Sequence, residues 1–258
     1  MRITSLLENT TRRADMQVEH GLSLYIETKE NKILFDMGQT DLFYHNAITL
    51  GIDLSQVDIA IVSHGHYDHG GGLSTFLNIN SRAPVYIHKD AFLPHYNGTD
   101  KYIGLNPSLK EDKRIVFTQN EHLIAPSLTL FTCNEKERNH PGAPSSLNEK
   151  VGDDFLPDDF RHEQYLLIYE ESKSVLISGC SHKGITDIAE WFTPDVLIGG
   201  FHFSKLPLDD NLEAMAKELD SYPTRFYTCH CTGTEQYEFM RGYMSNLHYL
   251  SCGESITV

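Results

Sequence analysis

A chain of 258 residues with 40% hydrophobic side chains can bury a substantial core, and its net charge of −15 argues against wrapping a nucleic-acid backbone, which needs Lys and Arg opposite the phosphates. No run approaches the ~18 consecutive apolar residues of a membrane span, and the opening "MRITSLLENTTRRAD" has no apolar stretch of signal length, so a cytoplasmic protein with a small-molecule partner is expected. Five scattered cysteines make no disulfide framework in a chain of this size, and reduced thiols are expected.

In chain order, "LSLYIET" and "NKILFD" read as a strand pair across the turn "KENK", because apolar and β-branched residues alternate between turn formers. "DLFYHNAITLG" predicts a helix with Asp41 as its cap and Gly51 as its stop. "VDIAIVS" is the short apolar run of a buried strand. It delivers "SHGHYDHGGG", in which His64, His66, Asp68 and His69 crowd into six positions. On a helix at ~100° per residue these four side chains scatter around the axis, so the crowded stretch is predicted as a loop, with Gly70, Gly71 and Gly72 turning it tightly into the helix "GGLSTFLNI". "APVYIHK" is a further strand. Residues 89–162, including the turn-rich "HPGAPSSLNEKVGDDFLPDD", read as a long loop or insertion near a site.

Regular patterning resumes with the strands "QYLLIYEE" and "SVLISG", the helix "GITDIAEWF", the strand "DVLIGGF", the helix "DNLEAMAKELDSY", the strand "TRFYTC" and "GTEQYEFMRGYMSNL". Four apolar strands thus end in, or just before, a histidine: His64, His182, His202 and His230. Ligand crevices of α/β proteins form at the carboxyl ends of strands, so imidazoles delivered there converge, and convergent imidazoles suggest a metal. Two of these strands share a loose pattern of Asp, apolar run and His, from Asp58 to His64 and from Asp195 to His202, which hints at duplicated halves.

"HGHYDH" matches the H-x-H-x-D-H signature of the metallo-β-lactamase superfamily. "ILFDMG" resembles the strand and turn that precede that signature. "EHGLSLYIET", "GCSHKGI", "IGGFH" and "HCTG" resemble blocks of the branch containing dihydropterin synthase-like proteins of methanopterin biosynthesis. The resemblance implies a single metallo-β-lactamase-like domain over residues 1–258, an α/β protein folded as an αββα sandwich of two mixed β-sheets flanked by helices. It assigns His64 and His66 to a first metal, and Asp68, His69 and His230 to a second. The family's Gly-Asp turn, whose aspartate bridges the metals, reads "SGCSH" here; His182 is then the third ligand of the first metal, and Cys180 either bridges as a thiolate or packs.

Asp36 is expected to orient a ligand histidine through its second ring nitrogen. Asp68 and His202 are the candidate catalytic residues, with His202 in the substrate pocket, and His20, Lys183 and Lys205 are candidate anion contacts. Cys229 and Cys231, which flank His230 at a spacing of two, read as structural residues turned away from it. His45, His95, His122, His140, His162 and His248 read as surface residues. Imidazole, carboxylate and thiolate donors suit Zn²⁺, one or two ions, while Mn²⁺ or Fe²⁺ accepts the same nitrogen and oxygen set.

The expected activity is a metal-dependent hydrolase using a metal-activated hydroxide on a small-molecule phosphoester or cyclic ester or amide. The alternatives are a transferase joining a pterin-methyl group to an aromatic amine, with a phosphorylated or pterin-like partner, and a non-catalytic metal-binding protein. Oligomeric state leaves no trace in the sequence.

Overall fold

In the computed structural model the chain is described over residues 1–140, 142–143 and 145–258. The elements begin with β1 (Arg2–Leu7), β2 (Ser23–Glu27), β3 (Lys32–Phe35), α1 (Leu42–Thr49), β4 (Ile59–Val62), α2 (Tyr67–Gly70) and α3 (Leu73–Ile79). They continue with β5 (Val85–His88), β6 (His95–Asn97), β7 (Lys101–Tyr102), β8 (Ile115–Thr118), β9 (Glu121–Ala125), β10 (Leu128–Phe131), β11 (Leu147–Val151) and β12 (Asp154–Pro157). The last are β13 (Tyr165–Glu170), β14 (Lys173–Ile177), α4 (Ile185–Phe192), β15 (Val196–Gly199), α5 (Asp210–Asp220), β16 (Arg225–Thr228), α6 (Thr234–Met240), β17 (Leu247–Tyr249) and β18 (Ser255–Thr257). Two compact units result: Met1–Gln119, Ser145–Glu163 and Ser251–Val258 form the first, and Asn120–Pro144 with Gln164–Leu250 form the second.

The first unit is built on a seven-stranded mixed sheet in the order β18-β1-β2-β3-β4-β5-β8. Its first three pairings are antiparallel and its last three parallel. The β2–β3 turn closes where Thr28 Oγ1 takes the amide of Asn31 at 2.9 Å. β4 is buried along its whole length, as a central parallel strand must be, and fully buried Ile61 and Val62 each contribute about 1.5–3 kcal/mol. Helix α1 falls where its pattern placed it and stops at Gly51, whose φ of +71° suits a residue without a side chain. Asp41 stands at its N-cap without accepting a backbone amide; Thr40 Oγ1 accepts the Leu42 amide instead.

The second unit repeats the design. Its sheet runs β17-β16-β15-β14-β13-β10-β9, with three parallel pairings followed by three antiparallel ones, the first unit's pattern read from the other edge. The two aspartates of the suspected repeat occupy equivalent places. Asp58 precedes β4 and its Oδ2 accepts the Lys32 amide at 3.0 Å; Asp195 precedes β15 and its Oδ2 accepts the Ser174 amide at 2.7 Å. Helix α4 buries Ile185, Ile188 and Ala189 in the core of this unit. Asp209 caps α5 by accepting the amides of Asn211 and Leu212.

Two expectations need correction. Residues 89–162 are not one irregular loop: they carry β6–β12, and a four-stranded sheet in the order β12-β11-β6-β7 is built entirely from them. Pro141 and Pro144 of the turn-rich stretch lie outside the described residues. The crowded histidine stretch is also not wholly a loop. His66 leaves β4's loop in extended conformation and its carbonyl takes the amides of His69 and Gly70, so Asp68 and His69 ride on the single helical turn α2.

Candidate functional site

In the first unit the loop after β4 presents Ser63, His64, Gly65 and His66, and α2 adds Asp68 and His69. Asp36, at the end of β3, organises them. Its backbone is left-handed at φ +60°, it is completely buried, and its Oδ1 accepts the Ser63 amide at 2.7 Å. Its Oδ2 accepts both the Ser63 hydroxyl at 2.7 Å and His69 Nδ1–H at 2.6 Å.

These bonds fix two tautomers. With its single proton given to Asp36, Ser63 Oγ accepts His64 Nδ1–H at 2.8 Å. Both His64 and His69 therefore carry their lone pair on Nε2. The three rings cluster tightly, with centroids of His64 4.5 Å from His66 and 4.2 Å from His69. Burial holds His66 well below its ordinary pKa, and the neighbouring His162 pushes it the same way. Asp68 Oδ2 lies 3.1 Å from Nε2 of His20, a half-exposed side chain.

A second layer backs this loop. His162 Nδ1 accepts the Gly65 amide at 2.9 Å, so its Nε2 carries the proton and donates it to Asp158 Oδ2 at 3.2 Å. His95 Nδ1–H meets the same oxygen at 2.8 Å, and Asp158 Oδ1 accepts the Phe160 amide. Burial opposes ionisation of Asp158, but the hydrogen bonds from His162 and His95 outweigh it and hold the carboxyl well below its usual range. His66, His95, Asp158 and His162 bring their donor atoms within 4.8 Å of one another.

The second unit supplies its own group at the ends of β14, β15 and β16. Cys180 and Cys231 are buried, His202 is half buried, and one donor atom from each lies within 4.8 Å of the other two. His182 packs on His202 with ring centroids 4.2 Å apart. Burial opposes ionisation of the Cys231 thiol, yet hydrogen bonds from Cys180 and His202 and the nearby His230 draw its pKa well below the ordinary value. Thr232 Oγ1 ties the strand ends together by accepting the Phe201 amide at 2.8 Å.

The family model of the metallo-β-lactamase superfamily matches residues 16–222. The chain belongs to the metallo-β-lactamase superfamily. Its fold of mixed sheets flanked by helices is that of the superfamily. A solved structure described as a metal-dependent hydrolase of the β-lactamase superfamily superposes with a TM-score of 0.85 at 28% identity, covering 100% of this chain and 99% of that one. Two proteins of Methanocaldococcus jannaschii are also similar. One, uncharacterised, is 28% identical over 240 residues, 90% of each chain. The other, named 7,8-dihydropterin-6-methyl-4-(β-D-ribofuranosyl)-aminobenzene-5′-phosphate synthase, is 28% identical over 264 residues, 92% of this chain and 90% of its own.

Superfamily members typically bind metal ions, and the donor chemistry here fits one. His66, held neutral by burial, and the oriented Nε2 lone pairs of His64 and His69 suit a shared divalent cation. In the first unit the structure brings together His64, His66, Asp68, His69, Asp36 and His20 of the residues singled out from sequence. In the second it groups His182, His202 and Cys180, places His230 on the turn after β16 and leaves Lys205 exposed.

Three readings are corrected. Lys183, expected to contact an anion, is completely buried; its Nζ donates to the Thr132 carbonyl at 2.6 Å and lies over the Tyr165 ring. His95 and His162, read as surface residues, are completely buried, because Asp158 supplies a carboxylate for both. Cys231 is not turned away from the chemistry. β16 ends at Thr228 and His230 adopts φ +49° in a 3₁₀ turn, so the alternation of a strand no longer holds there. The i, i+4 spacing of Asp158 and His162 was the one local signal that pointed to the backing layer.

Proposed function

We propose that this protein is a metal-dependent hydrolase acting on a small-molecule phosphoester or cyclic ester or amide. The observation that carries the reading is the Asp36–Ser63 pair, which sets the tautomers of His64 and His69 beside a neutral His66. His64, His66, Asp68 and His69 would hold the metal from the first unit. The roles given above to His182 and His230 rest on the family resemblance, and zinc is the preferred ion for this donor set. Bound there, a divalent cation supplies a Lewis acid that polarises a substrate oxygen and makes water more acidic.

The chain's own residues do the rest. Asp36 and Ser63 keep the imidazoles from rotating, and His162 pins the Gly65 amide between His64 and His66. Asp68 Oδ2 would accept a hydrogen bond that orients the attacking water, while His20, whose Nδ1 accepts from the Asn9 side-chain amide, donates Nε2–H to the same oxygen at 3.1 Å and steadies the carboxylate.

The test is elemental analysis of the purified protein followed by assays on phosphodiester, phosphomonoester and lactone substrates. Bound metal with turnover that both disappear in His66→Ala, while the circular dichroism spectrum is retained, supports the reading. Full metal and turnover in His66→Ala would sink it.

A second reading follows from the methanogen synthase. Similarity to that protein along nine-tenths of both chains supports a transferase joining a pterin-methyl group to a phosphorylated aminobenzene. Formation of that relative's named product, with no hydrolysis of simple esters, would favour it.

A further inference from the structure

We propose that the first unit carries a second ligand site, for a small phosphorylated polyol or sugar, in a cavity at the end of its sheet remote from the metal loop. The cavity measures about 400 Å³, within the range of sites that hold metabolites. Lys32 lines it and opens β3, while Asp36, which organises the metal loop, follows the other end of that strand. Four residues of extended chain, about 13 Å, therefore separate the two places.

Strand register builds the floor. Arg2 pairs with Glu27, Glu27 with Lys32, and Thr4 with both Tyr25 and Ser255, so these side chains stand on one face of β18, β1, β2 and β3. Leu50 and Ile52, in the stretch that follows α1, give the cavity an apolar wall.

The chain has 36 acidic side chains against 21 basic ones, yet three cations, Arg2, Arg13 and Lys32, meet at this cavity against two carboxylates, Glu27 and Asp53. These charges do not cancel locally. Glu27 stands between Arg2 and Lys32 in the register, but among the described residues neither cation closes an ion pair, and Arg2 has only a 3.4 Å approach to Ser255 Oγ. Asp53 turns its Oδ1 to the Ser55 amide instead. Arg13 is held in place by Asp15, which takes Nε–H at 3.0 Å and Nη2–H at 2.7 Å and leaves the Nη1 protons for a ligand. Gly253 makes room for that arginine: it has φ +84°, and a Cβ there would stand 2.9 Å from Arg13 Cδ.

Phosphate suits these donors, because guanidinium groups bind its oxygens through paired N–H groups and lysine adds a point charge. An acidic protein repels anions as a whole, so an anion binds only where cations gather. Glu27 decides what accompanies the phosphate. A carboxylate in the wall disfavours a bare anion and accepts hydrogen bonds from hydroxyl groups, which selects a phosphorylated polyol or sugar over inorganic phosphate.

The test is calorimetric titration of the intact protein at low salt with glycerol phosphate, using inorganic phosphate and glycerol as comparison ligands. The expected result is saturable binding of glycerol phosphate, weaker binding of phosphate and none of glycerol, with affinity for glycerol phosphate lowered about tenfold in each of Arg2→Gln and Lys32→Gln. Both side chains are exposed, so the variants should keep the wild-type circular dichroism spectrum. His66→Ala should bind as the wild type does. In amide NMR spectra of the wild-type protein, Gly51 and Gly253 should shift during the titration while Gly70, Gly71 and Gly72 stay in place.

Absence of saturable binding in the wild-type protein overturns the proposal without relying on any variant. Binding indifferent to both Arg2→Gln and Lys32→Gln also overturns it. So does binding lost in His66→Ala or shifts confined to Gly70, Gly71 and Gly72, because the anion is then held at the metal loop. Phosphate bound as tightly as glycerol phosphate overturns the choice of ligand, since Glu27 then selects nothing.

Discussion

Asp36 Oδ2 lies 2.6 Å from His69 Nδ1, inside a pocket where neither side chain is exposed. The same carboxylate holds both polar protons of Ser63, so Asp36→Ala strips the acceptor from the buried Ser63 amide and leaves the His69 ring N–H a long 3.5 Å approach to Ser63 Oγ in place of its 2.6 Å bond. Such an orphaned amide costs about 1–3 kcal/mol, and loss of a carboxylate behind a ligand histidine weakens metal binding about 10–100-fold. Urea denaturation and a metal titration should show both effects. An unchanged metal affinity in a folded Asp36→Ala protein would contradict the orienting role.

Asp158 accepts three hydrogen bonds, from His95, His162 and the Phe160 amide. Asp158→Asn keeps one acceptor oxygen: with that oxygen at the Oδ2 place its NH₂ is turned on the Phe160 amide, and with it at the Oδ1 place the NH₂ is turned on both imidazole donors. The expected loss is about 1–3 kcal/mol of stability. Because His162 also holds the Gly65 amide, dialysis against chelator should remove metal from the variant faster than from the wild type.

At Gly65 a methyl group would stand 2.3 Å from the Ala91 carbonyl oxygen and 2.9 Å from His95 Nε2. The carbonyl belongs to backbone and cannot swing aside, so Gly65→Ala must move the loop between His64 and His66. A cost of about 1–3 kcal/mol is expected, with lowered metal content at equal protein concentration. Thermal melts with and without added zinc separate the two effects.

Burial pushes the Cys252 thiol from an ordinary 9.0 up to about 12, and the Tyr25 phenol from 10.0 to about 12. Both ionise more readily in the unfolded chain. Their contribution to stability is therefore complete below pH 9 and is lost as pH climbs towards 12. Between pH 9 and 10 the thiol dominates, so the fall in urea midpoint over that interval should flatten in Cys252→Ala.

The elements with strong apolar periodicity were legible in the sequence. β2 to β5, α1, α3, α4 and α5 stand within a few residues of their predicted positions, and Asp58 and Asp195 do occupy matching places in two sheets of matching pairing pattern. β6, β7, β9 and β12 were not legible, because strands of two to five residues such as "KY" and "EHLIA" are partly exposed and carry no clean alternation. His95 and His162 were misread for a different reason: a histidine in a polar neighbourhood looks exposed until its carboxylate partner, here 63 residues from His95, is found in space. The trio at Cys180, His202 and Cys231 depends on left-handed residues, and no local pattern announces those.

The first unit is interrupted in sequence: the chain leaves it at Gln119, returns for Ser145–Glu163, leaves again and comes back at Ser251. Asp158 and His162 arrive with the second visit, and β18, which flanks β1, with the third. A ribosome that has released residues 1–119 has therefore made His66 and His95 but not the carboxylate that pairs with His95, and the edge of β1 is still open. Contacts spanning such long stretches form late and slow folding. Neither unit can be excised by a single cut, so a fragment ending near residue 119 should be recovered unfolded or aggregated rather than as a miniature of the first unit.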